Sequence, residues 1–149
     1  LAEFTLVGSS NHDFYDVSLV DGYNLPLDIT PSTTDSGNSS GTTNCRRIGC
    51  DSDLRDICPK ELAVQAGGHV VACKSACDAF NTSQYCCTGE HANPNSCQPS
   101  QYSVVFKKAC PTAYSYAYDD RSSTFTCTSF STDYTITFCP GKASAAAPP

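Results

Sequence analysis

Cysteine is the residue of this sequence with the most evident chemistry, because eleven thiols are spread over 149 residues. At this density, thiols either form disulfides in an oxidising compartment or bind zinc. The closest pairs are the adjacent Cys86 and Cys87 and the Cys73-x3-Cys77 spacing, and the sequence has no paired C-x2-C knuckles. We therefore expect disulfides, secretion and no metal site. Because eleven is odd, at least one cysteine has no partner within the chain.

Carboxylates are the second group of side chains that could do chemistry. They bind sugar hydroxyls through charged hydrogen bonds, and two carboxyls with different pKa values can hydrolyse a glycosidic bond. Asp21 precedes a glycine, as in a turn, and the adjacent Asp119 and Asp120 could begin a loop, so spacing alone favours structural roles for them. No site is assigned to the scattered histidines, His12, His69 and His91.

The charge balance limits the partners of the chain. Nine basic and fifteen acidic side chains give a net charge of −6, which disfavours nucleic acid and anionic membranes. No apolar run is long enough to span a membrane, and the N-terminus lacks the features of a signal peptide, so we expect the secretion signal upstream. We expect a monomer without a cofactor. Sequons at Asn38 and Asn81 permit N-glycosylation.

Alternation of apolar and polar residues predicts strands towards both ends of the chain. In the opening third, residues 4–7 and 14–20 alternate and are separated by a turn over residues 8–13. Further strands are predicted from β-branched and aromatic residues over 102–106, 123–126 and 134–138.

The middle of the chain has a different composition. Eight of the eleven cysteines lie from Cys45 to Cys97, among polar stretches that favour disulfide-linked loops. Residues 74–80 are the best helix candidate, because Ala and Lys favour helix and neither Gly nor Pro interrupts them. Residues 31–44 have nothing to bury and are predicted to form an exposed loop. Residues 142–149 are small or proline and are predicted to be a disordered tail.

Several motifs together resemble the thaumatin-like proteins. They are FYDVSLVDGYNLP at 14–26, CP-x-EL at 58–62, YCC at 85–87, YSYAYDD at 114–120 and FCP at 138–140. The resemblance runs from Leu1 to about Gly141, with cysteines in the family's order. It implies a mainly β fold, namely a β-sandwich with a disulfide-rich lobe of loops and short helices.

The resemblance also implies how the chain is divided. Residues 1–44 and 98–141 would form parts of the β-sandwich, and residues 45–97 would form the disulfide-rich lobe. The sequence resembles the C-terminal two-thirds of the family's longer form, so the sandwich would be incomplete and would expose strand edges. The family's pairing pattern implies Cys45–Cys127, Cys50–Cys110, Cys58–Cys73, Cys77–Cys86 and Cys87–Cys97. Cys139 would then be unpaired.

Osmotin-like members of the family hold an arginine and four acidic residues around a cleft. The matching acids here are Glu3, Asp16, Asp21 and either Asp119 or Asp120, and the arginine has no counterpart. The resemblance implies β-1,3-glucan of the fungal cell wall as the partner. If the cleft hydrolyses it, as a weak endo-β-1,3-glucanase, Glu3 would be the general acid and Asp21 the base. The other acids would then bind substrate.

Two functions from different classes follow from the resemblance. The first is a secreted, pathogenesis-related plant defence protein, extracellular or apoplastic or vacuolar, that binds and slowly cleaves fungal glucan. The second is a non-catalytic antifungal protein that perturbs membranes or inhibits another secreted enzyme through its surface. Allergenicity is a further property that the family implies.

Overall fold

The computed structural model describes residues 1–33 and 44–141 of the chain. Its strands are β1 (Ala2–Thr5), β2 (His12–Val17), β3 (Leu27–Thr33), β4 (Ile48–Cys50), β5 (Ala63–Ala66), β6 (His69–Cys73), β7 (Phe125–Thr128) and β8 (Thr132–Phe138). Its α-helices are α1 (Ala76–Phe80), α2 (Ser83–Cys86), α3 (Gln101–Ala109) and α4 (Asp120–Ser123). Among these helices, none is long and apolar enough to cross a membrane.

Two antiparallel sheets pack against each other and enclose the core. One has the order β1-β2-β7 and the other the order β4-β3-β8, while β5 and β6 form a separate pair. Alternation along β2 directs Tyr15 and Val17 inward, where Ile29 of β3 and Ile48 of β4 meet them. Each of these four side chains is at most 2% exposed. The mainly β fold is therefore confirmed, with a sandwich at its centre.

The prediction of a strand over residues 102–106 is wrong, because this segment lies in helix α3. Ser100 caps the helix by accepting a hydrogen bond from the backbone N–H of Ser103 at 3.1 Å. Ser103 and Phe106 are buried one helical turn apart, and two lysines lie in the last turn, where they favour the helix dipole. The cap and the buried face outweigh the strand preference of the β-branched residues.

Other predicted elements are present with shifted bounds. Strands β1, β2, β7 and β8 and helix α1 all overlap the segments predicted for them. Residues 31–33 extend strand β3, so that part of the predicted loop is wrong. Residues 34–43 and 142–149, with the sequon at Asn38, lie outside the described residues. Asn81, which begins the other sequon, is exposed at the C-terminus of α1.

Five disulfides link the chain, and they join the pairs that the family pattern implies: Cys45–Cys127, Cys50–Cys110, Cys58–Cys73, Cys77–Cys86 and Cys87–Cys97. Cys45–Cys127 joins the segment before β4 to β7, and Cys50–Cys110 joins β4 to the end of α3. The other three lie within residues 58–97, where short helices and loops dominate. Cys139 is a free thiol. Strand β4 lies within residues 45–97 but pairs with β3 of the sandwich.

Candidate functional site

Pairing of strands β1 and β2 places two carboxyl groups side by side. The register sets Glu3 of β1 directly opposite Asp16 of β2. Because Tyr15 and Val17 point into the core, alternation turns the Asp16 side chain to the other face of the sheet, where Glu3 also lies. Directly opposed residues in antiparallel strands have their Cβ atoms about 5 Å apart, so the two carboxyls interact closely.

A third carboxyl, that of Asp120, is brought to this pair by the chain before helix α4. Tyr114 lies beside the continuation of β2, since its N–H donates to the Val17 carbonyl at 2.8 Å and its carbonyl accepts from Leu19 at 2.9 Å. The Tyr114 hydroxyl donates to Oδ1 of Asp120 at 2.8 Å. Burial raises the pKa of Tyr114 to about 12, so this hydroxyl keeps its proton. We refer to Glu3, Asp16 and Asp120 as the acidic group.

Asp16 is the member of the acidic group whose protonation is most perturbed. Burial and then the adjacent carboxyl of Glu3 raise the pKa of Asp16 to about 7, and the charge of Asp120 contributes in the same direction. Its Oδ1 atom is buried and has no hydrogen-bond partner among the described residues. Asp16 therefore carries a proton in mildly acidic surroundings, beside Glu3. The family resemblance gives the proton-donating role to Glu3, and sequence alone holds no signal for the shift at Asp16.

Asp119 has a different environment from its neighbour Asp120. It forms an ion pair with Lys107 at 2.9 Å and accepts hydrogen bonds from Ser115 at 3.0 and 2.9 Å and from Ser122 at 3.0 Å. Burial alone would raise the pKa of Asp119, but these partners lower it below the ordinary value. Asp119 therefore connects α3, α4 and the Tyr-rich segment, while Asp120 is the member of the pair whose charge acts on Asp16.

Asp21 lies at the boundary between the sandwich and the disulfide-rich region. The adjacent Gly22 has φ +93°, and a Cβ atom there would lie 2.8 Å from the Cys73 carbonyl, so the turn requires glycine. Tyr23 pairs with Cys73 of β6, which holds this turn against the disulfide-rich region. Asp21 is exposed and lines a groove with Ser115 and Tyr116, rather than contributing to the pKa shift of Asp16.

The arrangement can bind hydroxyl groups and can hold a proton between two carboxyls. Tyr114 contacts the acidic group but is not among the predicted site residues, because nothing in the YSYAYDD motif indicates which tyrosine contacts an acid. Among residues 1–33 and 44–141, no group of three or more His, Cys, Asp and Glu side chains is arranged to hold a metal ion.

Comparison of the sequence with known proteins identifies relatives of this chain. A pathogenesis-related thaumatin-like protein 3.5 of Cryptomeria japonica is 62% identical over 142 residues, covering 95% of this chain and 54% of that protein. Pathogenesis-related protein 5 of Arabidopsis thaliana is 58% identical over 140 residues, covering 94% of this chain and 55% of that protein. Thaumatin-like protein 1a of Malus domestica is 49% identical over 141 residues, covering 94% and 54%.

The chain spans about half the length of these curated relatives. The sequence model of the Thaumatin family matches residues 1–140, which is nearly all of the chain. Because the match extends over both sheets, all five disulfides and the acidic group, the chain belongs to the thaumatin family.

Proposed function

We propose that this chain acts outside the cell in plant defence, as an antifungal protein that binds β-1,3-glucan through Glu3, Asp16 and Asp120. The observation that carries the proposal is the grouping of Asp16, whose pKa is raised to about 7, with the carboxyls of Glu3 and Asp120. Carboxyl groups held close together in this way can bind a hydroxyl-rich ligand through several charge-assisted hydrogen bonds. The pathogenesis-related names of the relatives support the defence role.

Sugar hydroxyls suit the acidic group for a specific chemical reason. The carboxyl oxygens of Glu3 and Asp120 accept hydrogen bonds from hydroxyls, and hydrogen bonds to a charged acceptor are about twice as strong as neutral ones. Protonated Asp16 can donate to ring or glycosidic oxygens, while the Tyr114 hydroxyl donates to Asp120 and orients its carboxylate. A polymer with alternating donors and acceptors along its edge therefore fits better than a simple cation or an anion.

A second candidate function is slow hydrolysis of the bound glucan. It is favoured by the raised pKa of Asp16 beside Glu3, since glycosidases pair a protonated acid with an ionised carboxylate. Asp16, sharing its proton with Glu3, would protonate the glycosidic oxygen as the bond to the anomeric carbon breaks. Asp21 at the boundary would remove a proton from the water that attacks this carbon. The leaving sugar gains the first proton, and Asp21 holds the second.

The test is a pull-down of the purified chain on insoluble β-1,3-glucan, with release of reducing ends measured in the same samples. Glu3→Gln and Asp16→Asn should each weaken binding about tenfold, because each removes a charged or proton-donating partner of the sugar. Glu90→Gln is the matched control, because Glu90 is 83% exposed and lies outside the acidic group.

The outcomes separate the candidate functions. Binding without sugar release supports the first function, and release that depends on Asp16 and Asp21 supports the second. If the chain inhibits fungal growth equally well with Glu3→Ala and Asp21→Ala, the acidic group is not its means of action. A non-catalytic effect on membranes or on another secreted enzyme would then replace both functions.

A further inference from the structure

The loop between helices α1 and α2 carries the sequon Asn81-Thr82-Ser83, which has no proline at its middle position or directly after it. Asn81 and Thr82 are both exposed, and Ser83 is partly exposed. The Cys77–Cys86 disulfide closes this segment with a sequence separation of 9. The asparagine of the sequon is therefore presented to solvent on a short, cross-linked loop.

The fold uses the backbone of Asn81 and leaves its side-chain amide unused. Asn81 ends α1 in the left-handed region, at φ 49°, and its backbone N–H donates to the Cys77 carbonyl at 2.8 Å. Within the part of the chain that the structure describes, its side-chain amide has no hydrogen-bond partner. Asn44, which begins no sequon, differs: its amide donates to the Thr124 carbonyl at 3.1 Å and accepts from the Thr126 N–H at 2.7 Å. The Asn81 amide is thus open to modification.

An exposed aromatic ring lies directly before the sequon. Phe80 is 37% exposed and lies outside the buried core and its packed margin. Its ring centroid is 5.4 Å from that of Tyr85 and 5.4 Å from that of Tyr102, so the two tyrosines hold the ring in place. A ring fixed in this way loses little further conformational freedom when another group covers its exposed side.

We propose that Asn81 is an N-glycosylation site and that the first N-acetylglucosamine of its glycan packs on the exposed side of Phe80. The inference rests on the proposed location outside the cell, because the oligosaccharide is transferred in the secretory pathway. The sugar ring has apolar C–H groups on its faces, and these match an aromatic ring, whereas its acetamido and hydroxyl groups stay in water. The glycan therefore covers an apolar surface that the protein leaves exposed.

The attachment is a group transfer from a lipid-linked oligosaccharide diphosphate. Nδ2 of Asn81 forms a bond to the anomeric carbon of the first sugar, while the bond from that carbon to the diphosphate oxygen breaks. The lipid diphosphate leaves with the electron pair of the broken bond, and Nδ2 gives one proton to a base of the transferase. The hydroxyl of Ser83 is the group that the sequon requires two positions after the asparagine.

The first measurement is the occupancy of Asn81 in the chain secreted by eukaryotic cells behind a signal peptide. Peptide mass spectrometry should find N-acetylglucosamine on most copies of the peptide that contains Asn81. Ser83→Ala should abolish it while the asparagine and its backbone cap stay in place, and Ser83→Thr should retain it. Asn38→Gln is the matched control, because it removes the other sequon and should leave the occupancy of Asn81 unchanged.

The second measurement tests the contact with Phe80. An endoglycosidase trims the glycan to its first N-acetylglucosamine, and the reference is the same chain made without glycan in a bacterial periplasm. The glycosylated chain should melt about 2 to 4 °C higher, as expected for one added aromatic contact. Phe80→Ala should remove this gain, and Phe80→Tyr, which keeps the ring, should preserve it. Phe130→Ala is the control, because Phe130 is 82% exposed and lies in the turn between β7 and β8.

The outcomes separate this inference from the proposed function. A secreted chain whose Asn81 is unmodified overturns the site and leaves the location outside the cell standing. A glycan that raises the melting temperature equally with and without the Phe80 ring overturns the packing. A glycosylated chain that binds no glucan supports the site, and only the proposed glucan binding then fails.

Discussion

Strand β2 carries one aspartate at each of its two ends, and the two have opposite properties. Asp13 is 4% exposed and accepts hydrogen bonds from the Val7 N–H at 2.8 Å, the Ser129 hydroxyl at 2.7 Å and the Tyr134 hydroxyl at 3.0 Å. Asp16, three residues along, has a buried oxygen with no partner among the described residues. One carboxylate is fully bonded by the protein, and the other is not.

The pKa values follow these partners rather than burial alone. Burial would raise the pKa of Asp13, but its three hydrogen bonds lower it below the ordinary value. At Asp16, burial acts together with the charge of Glu3, and both raise the pKa. An ionised side chain that the fold itself satisfies supports the structure, since Tyr134 of β8 ties the second sheet to β2. The partly exposed Asp16, which the fold leaves unsatisfied, is the carboxyl available to a ligand.

Among the variants that test this comparison, Asp13→Ala is expected to have the largest effect on stability. It leaves two hydroxyls and a backbone N–H without their acceptor inside the protein, so we expect the free energy of unfolding to fall by about 3 kcal/mol. Chemical denaturation followed by circular dichroism measures it. The control Asp133→Ala removes an exposed carboxyl of strand β8 and should change stability by less than about 0.5 kcal/mol. Equal effects of the two variants would mean that the Asp13 network does not support the fold.

The adjacent Asp119 and Asp120 provide a second contrast of the same kind. Asp119→Asn breaks the pair with Lys107 and weakens its serine contacts, so we expect a loss of about 1 to 2 kcal/mol in the free energy of unfolding. Asp120 is exposed, and Asp120→Asn should leave stability nearly unchanged while lowering glucan binding. Thermal unfolding and the glucan isotherm, measured on both variants, check this. Reversed results would assign the binding role to Asp119.

Asp16→Asn gives the smallest effect, and its size depends on pH. The folded state holds a proton on Asp16 up to about pH 7, whereas the unfolded chain releases it near 3.8. Between these values the folded state binds more protons, so the contribution of Asp16 to stability falls as the pH rises. We expect Asp16→Asn to melt a few degrees above the unmodified chain near neutral pH, and no higher at about pH 4.

Melting temperatures across this pH interval test the prediction. The control is Asp133→Asn, which removes a charge of the same sign at an exposed position. A constant difference between Asp16→Asn and the unmodified chain at every pH would mean that the pKa of Asp16 is not raised. In that case the contrast with Asp13 would disappear.

The local sequence pattern predicts an element of this fold correctly where the residues packed around that element favour the same structure. Strand β2 alternates between buried and partly exposed residues as expected, and α1 begins at a serine cap within the predicted helix. The segment 102–106 shows the limit. Its valines and aromatic residues favour strand, but the Ser100 cap and the burial of Ser103 and Phe106 on one helical face decide for helix.

Only part of the candidate site follows from the local sequence pattern. Alternation along β2 turns Asp16 to one face and Tyr15 to the other, so part of the acidic group follows from local rules. The choice between Asp119 and Asp120 does not, because two adjacent aspartates have the same chemistry until the chain folds. Lys107 of α3 then binds one, and Tyr114 binds the other.

By itself, the sequence determined the chemistry that the protein can use and where the chain can make strands. Eleven thiols imply disulfides, period-two alternation implies half-buried strands, and the motifs carry the resemblance to the thaumatin-like proteins. Only the tertiary structure decided which carboxyls meet and which of them keeps a proton. A pKa depends on burial and on charges and hydrogen bonds from residues far apart in the chain. Asp16 acquired its properties only when Glu3 and Asp120 were folded against it.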